Sequence, residues 1–130
     1  MNPTQQPKKP IVLIVEDEPL IRLLAVEFIE EAGFDVIEAA NADIAVSILE
    51  TRMDIRIVFT DIDMPGSLDG MKLAAAVRDR WPPIQIVIVS GRGRHHDLTL
   101  PDRAIFFDKP YDIGAITATL HQMAAAPTAR

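Results

Sequence analysis

Cysteine is absent from the 130 residues. That rules out disulfides and thiolate metal sites, and it fits a cytoplasmic protein. No apolar run approaches the roughly 20 residues that a membrane span requires. The first ten residues, Met1 to Pro10, are polar and proline-rich and contain no apolar signal region, so nothing in them points to secretion. Basic residues are the minority, 13 against 19 acidic, for a net charge of −6. A sequence-independent grip on nucleic acid needs a basic surface, so direct nucleic-acid binding is not expected. No internal repeat and no low-complexity segment is visible.

What is present is a globular pattern. Apolar residues make up 48% of the chain and are spread along it in short blocks. A chain of this length suits one domain, able to bury roughly two-thirds of its unfolded surface. We expect a loose tail over residues 1–9, a domain over 10–126 and a second tail over 127–130. Ile11 to Val15 are five consecutive apolar residues, mostly β-branched, as in a strand buried on both faces. Glu16-Asp17-Glu18-Pro19 follows, with Pro19 suited to a first helical turn and the acidic residues to the helix dipole. Ile21, Leu24, Ala25, Phe28, Ile29 and Ala32 recur at helical spacing as one buried stripe, and Gly33 is a stop signal.

Val36 and Ile37 form a short second strand. Asn41 is placed to cap a second helix that turns Ala45, Ile48 and Leu49 inward. Ile57-Val58-Phe59-Thr60 then runs straight into Asp61. Another helix is expected from Met71 to Arg80, stopped by Trp81-Pro82-Pro83. Further strands follow at Ile84 to Val89 and Ala104 to Phe107, and a last helix is marked by Ile113, Ile116, Leu120 and Met123 or Ala124. Alternation at this spacing predicts an α/β fold, a doubly wound parallel sheet with helices on both faces. Gly91 to Arg103 has two glycines, Pro101 and little helical periodicity, so the helix expected there is short or irregular.

In such a sheet the carboxyl ends of the strands share one edge, where ligands bind. Glu16 and Asp17 end the first strand, Asp61 the third, Ser90 the fourth and Lys109 the fifth. Three carboxylates brought together repel one another unless a cation sits among them. Oxygen ligands on short side chains suit a hard ion such as Mg²⁺. A metal, a lysine and a carboxylate nucleophile are what phosphoryl transfer to aspartate requires.

Five motifs stand in order, each at a predicted strand end or in the loop after it: Val15-Glu16-Asp17-Glu18, Thr60-Asp61-Ile62-Asp63-Met64-Pro65, Asp69-Gly70, Val89-Ser90-Gly91 and Phe106-Phe107-Asp108-Lys109-Pro110. With them the chain resembles the response-regulator receiver domains of two-component signalling over about residues 11–124. The resemblance implies a CheY-like five-stranded sheet in the order 2-1-3-4-5. It implies Asp61 as phospho-acceptor and Mg²⁺ or Mn²⁺ held by Asp17, Asp61, the backbone carbonyl of Asp63 and, mainly through bound water, Glu16. Lys109 and Ser90 would meet the phosphoryl oxygens, and the Lys109-Pro110 bond would be cis. Phe106 would stand where the family places its switch aromatic, though without the hydroxyl of the tyrosine many members carry. Asp63 and Arg92 are expected to tune the phosphate lifetime as an ion pair bordering the path of attacking water.

The implied partners are a histidine kinase or histidine phosphotransfer protein and a separate downstream protein; a homodimer is among the arrangements allowed. We expect a stand-alone switch, relay or sink that catalyses its own phosphorylation and dephosphorylation and is not a turnover enzyme. The chain departs from the commonest pattern in having three residues, Gly66-Ser67-Leu68, between Pro65 and Asp69, and in the segment from Gly91 to Arg103. An aspartate-nucleophile phosphohydrolase would share the Asp61-Ile62-Asp63 spacing, but that class sets the pair after its first strand. A pseudo-receiver would lack a site residue, and none is missing. Glu18 reads as a solvated helix start, Asp69 as cap chemistry, His95 and His96 as surface residues, and Trp81 as helix-end packing.

Overall fold

The short β-branched runs become the strands of one sheet: β1 (Ile11–Val15), β2 (Asp35–Ala39), β3 (Ile55–Asp61), β4 (Gln85–Ser90) and β5 (Ala104–Asp108). The helices are α1 (Pro19–Glu31), α2 (Ala42–Thr51), α3 (Gly70–Arg80) and α4 (Ile113–Ala125). The computed structural model describes residues 9–63, 69–91 and 100–126. Expectations that fall on Arg92, on His95 and His96, and on most of the irregular segment before β5 lie outside those residues.

All pairings are parallel and the order is β2-β1-β3-β4-β5, as expected. The three inner strands are almost wholly buried, which is why they read as unbroken apolar runs. Leu13, Val58 and Ile88 pack on one face against Ala45 and Leu49 of α2 and Leu73 and Val77 of α3. Ile14, Ile57 and Phe59 pack on the other against Ala25 and Ile29 of α1 and Ile116 and Leu120 of α4. Fully burying one leucine such as Leu120 contributes about 2–3 kcal/mol. The sheet is thus shielded on both faces, and polar chemistry is left to its edges. No described helix is long and apolar enough to cross a membrane.

The caps follow the sequence. Asn41 Oδ1 accepts the Ile44 amide at 2.8 Å, and Asp69 Oδ1 accepts that of Lys72 at 2.9 Å. Gly33 takes a left-handed φ of +104° just after the end of α1, where a side chain would be strained. Trp81 closes α3 and packs on the core, with the Arg80 guanidinium 4.4 Å above its ring.

Three helix readings need correction. Leu24, assigned to the buried stripe of α1, is 61% exposed; Ala25 and Ile29 of that stripe are buried, and Phe28 and Ala32 pack partly buried against the same core. Leu20, Ile21, Leu23 and Val26 make this helix apolar on several sides, so periodicity alone does not choose its buried face. Likewise Ile113 is exposed at the start of α4, whereas Ile116, Leu120 and Met123 are buried. The acidic run also stops short of the first turn of α1: Glu18 is the N-cap residue, exposed and without a side-chain cap bond.

The amino ends of β4 and β5 share a clamp that periodicity does not reveal. Arg78 of α3 donates to the carbonyls of Asp102 at 2.6 Å, Pro82 at 2.7 Å and Ile84 at 2.8 Å. Arg103, at a left-handed φ of 61°, donates to the Pro82 carbonyl as well.

Candidate functional site

Register decides what meets at the carboxyl edge. Val15 pairs with Thr60, Asp61 with Val89, and Ser90 with Asp108, so the residues that follow or end β1, β3, β4 and β5 lie side by side. Glu16, Asp17 and Asp61 each bring a carboxylate oxygen within 4.8 Å of the others. Lys109 Nζ lies 2.9 Å from Asp61 Oδ2 and 3.8 Å from Glu16 Oε1. The convergence expected from four separate strand ends is therefore present in space.

The trio is partly shielded. Glu16 and Asp61 are 4% and 5% exposed, whereas Asp17 is half-buried. Asp17, Glu18, Ile21, Asp61, Asp63, Gly91 and Lys109 line an open cavity of about 340 Å³ above them. Asp61 is held in a fixed orientation, with Oδ1 accepting the Asp63 amide at 2.9 Å and Oδ2 the Lys109 ammonium. Ser90 donates its hydroxyl to Asp63 Oδ2 at 3.1 Å. Phe106 is half-buried and packs on the core layer beneath α2 and α3. The Lys109-Pro110 bond is cis.

Loss of hydration pushes the Glu16 carboxyl up to about 7, with help from the Asp61 charge and against the Glu18 amide and Lys109. Burial disfavours the Lys109 ammonium, but the hydrogen bond to Asp61 and the charges of Asp61 and Glu16 outweigh it and hold the amine above the ordinary lysine range. A buried carboxyl that resists ionisation beside two others is a site short of positive charge. Oxygen donors on short side chains at this spacing fit a hard divalent cation such as Mg²⁺.

Several contributors were not legible in the sequence. Arg22 reaches back from α1 to the Glu16 carbonyl at 2.8 Å and to Glu38 Oε1 at 3.1 Å, fixing the end of β1. Tyr111 meets Phe28 and Phe59 edge-on, with centroids 5.9 and 6.2 Å away. It also lines an apolar groove of about 600 Å³ with Leu24, Phe28, Pro110 and Ile113, and the groove runs up to Lys109. A cluster of exposed Leu20, Leu23 and Leu24 on α1 was the available signal for that face, and helical periodicity had assigned Leu24 to the core.

Residues 12–121 match the profile of the response regulator receiver domain. Among curated proteins, the sensor kinase CckA of Brucella abortus is 31% identical over 116 residues, which are 86% of this chain and 12% of that protein. The nitrogen assimilation regulatory protein NtrX of Azorhizobium caulinodans is 35% identical over 83 residues, 63% of this chain and 18% of its own. The chain thus spans less than a fifth of either relative. Among solved structures, a response regulator receiver protein from Sinorhizobium medicae superposes with a TM-score of 0.82 at 26% identity, covering 91% of this chain and 96% of that one. The receiver domain of NtrX from Brucella abortus gives 0.78 at 26%, covering 89% and 99%.

Proposed function

This chain belongs to the response regulator receiver domain family, and on that footing we propose that Asp61 accepts a phosphoryl group from a histidine kinase or histidine phosphotransfer protein. The observation that carries the reading is the placement of Asp61. One carboxylate sits at once within the acidic trio and 2.9 Å from a lysine amine.

In the transfer, an Asp61 carboxylate oxygen attacks phosphorus. A P–O bond forms as the donor's P–N bond breaks, and the electron pair of that bond leaves with the imidazole nitrogen. The Asp63 amide and Lys109 hold the nucleophile in one orientation beforehand, which removes part of the entropic barrier. Lys109 is within reach to follow the charge onto the phosphoryl oxygens. Glu16, Asp17, Asp61 and the Asp63 carbonyl would hold Mg²⁺ or Mn²⁺. Once bound, the ion supplies neutralisation of the developing phosphoryl charge.

Ser90 turns from Asp63 toward the phosphoryl group in this reading. With Phe106 it biases the surface around β4 and β5 between two states read by a downstream protein. Asp63 and Arg92 tune the lifetime of the phosphate. The exposed leucines of α1 and the groove up to Lys109 support a protein, rather than a small molecule, as the phosphodonor. Asp61→Asn should abolish labelling by acetyl phosphate in the presence of Mg²⁺. Residual stoichiometric labelling would move the acceptor elsewhere.

A further inference from the structure

Gly70 opens α3 directly against the main chain that carries Asp61. Its amide points to the Ile62 carbonyl at 3.4 Å. A Cβ added at Gly70 would lie 2.6 Å from Ile62 Cα, 2.9 Å from the Asp61 carbonyl carbon and closer still to the Asp61 carbonyl oxygen. Carbon atoms in favourable contact stand about 3.5–4.0 Å apart. All three neighbours are main-chain atoms, so no rotamer change relieves the overlap. Unlike Gly33, Gly70 has no left-handed φ; what this position needs is room.

Neither side of the contact can retreat freely. Asp61 and Ile62 are held by β4, where Asp61 pairs with Val89 and the Ile62 amide donates to the Val89 carbonyl at 2.9 Å. α3 is held by the Asp69 cap and by the buried side chains of Leu73, Ala74 and Val77. A methyl group at position 70 must therefore push the acceptor strand off β4 or lift the first turn of α3. From this we infer that Gly70 is a positioning residue for the acceptor. Its missing side chain sets the place of the Asp61 carboxylate relative to Glu16, Asp17 and Lys109. The inference rests on the reading of Asp61 as acceptor. It assigns part of the reaction to a residue whose sequence context reads as plain turn and cap chemistry. A shift of about 1 Å in a reacting group can cost on the order of a hundredfold in rate.

The test uses the full chain, acetyl phosphate as donor and saturating Mg²⁺. Gly70→Ala should lower the labelling rate at saturating donor about 10- to 100-fold, with much less change in the KM for acetyl phosphate. Val77→Ala empties a fully buried position two turns further along the same helix and should keep the wild-type rate at temperatures where it is folded. A wild-type rate for Gly70→Ala overturns the inference. So does slowing of both variants in proportion to their loss of melting temperature. Should Gly70→Ala not fold, a pair of matched cap deletions decides: Asp69→Ala should slow labelling several-fold, and Asn41→Ala, which removes the same kind of bond from α2, should not. Equal rates for that pair overturn the inference. An unlabelled wild type would instead sink the acceptor reading itself.

Discussion

Binding of Mg²⁺ at the acidic trio should release a proton near neutral pH. Glu16 is 4% exposed, and burial lifts its carboxyl from 4.5 to about 7. A carboxylate must be ionised to hold a cation. Each unit of acidification below pH 7 should therefore raise the Kd about tenfold, and the affinity should level off above about pH 8. Calorimetric titrations in buffers of different ionisation enthalpy count the protons, with roughly half a proton expected at pH 7 and close to one at pH 6. Glu16→Gln should bind Mg²⁺ more weakly and without this pH dependence. The same shift has a stability consequence. The folded pKa lies above the unfolded one, so between pH 4.5 and 7 the unfolded chain ionises first. The metal-free protein should then lose stability as pH rises through that window. The full shift corresponds to about 3 kcal/mol, and solvent at the open rim should reduce it to about 1–2 kcal/mol. Adding Mg²⁺ should cancel the loss. A Kd constant from pH 6 to 8 with no proton release would show that Glu16 is already ionised, and the argument would fail.

Lys109→Ala removes a cation 2.9 Å from Asp61 and 3.8 Å from Glu16. The midpoint of the Mg²⁺ pH dependence should rise and acetyl phosphate labelling should slow about a hundredfold; an unchanged rate would take Lys109 out of the chemistry. Arg92→Ala should change autodephosphorylation several-fold, measured as phosphate release, and an equal rate would end the proposed tuning role. Leu120→Ala empties a wholly buried site between α4 and the sheet. It should cost about 2–5 kcal/mol, seen as a lower urea midpoint at an unchanged slope. A loss under about 1 kcal/mol would contradict the packing described for α4.

The strands and their order were legible because burial on both faces leaves a signal that needs no partner: the runs at β1, β3 and β4 are apolar without alternation. The candidate site was legible for the same reason. Asp61 ends and Glu16 follows such a run, where only an edge can receive a charge. α1 was harder. Its apolar residues cover more than one face, so periodicity placed Ala25, Phe28, Ile29 and Ala32 against the core but also drew in the exposed Leu24. Arg22 carried no signal in the sequence, and Gly70 stood in a motif whose spatial role the sequence does not show. The reach of Arg22 to the Glu16 carbonyl spans two elements, and the closeness of Gly70 to Asp61 is a distance between backbones. Neither of these two spatial relations leaves a pattern in one dimension.

The clamp made by Arg78 has a consequence for how the fifth strand tolerates substitution. It grips carbonyl oxygens, which every residue type offers, at Pro82, Ile84 and Asp102. The chain just before β5 is thus moored to α3 whatever side chain stands at position 102. The start of the strand that carries Lys109 toward Asp61 is therefore fixed through the main chain alone. Substitutions at Pro82, Ile84 and Asp102 that keep the backbone in place should therefore leave the grip of Arg78 intact.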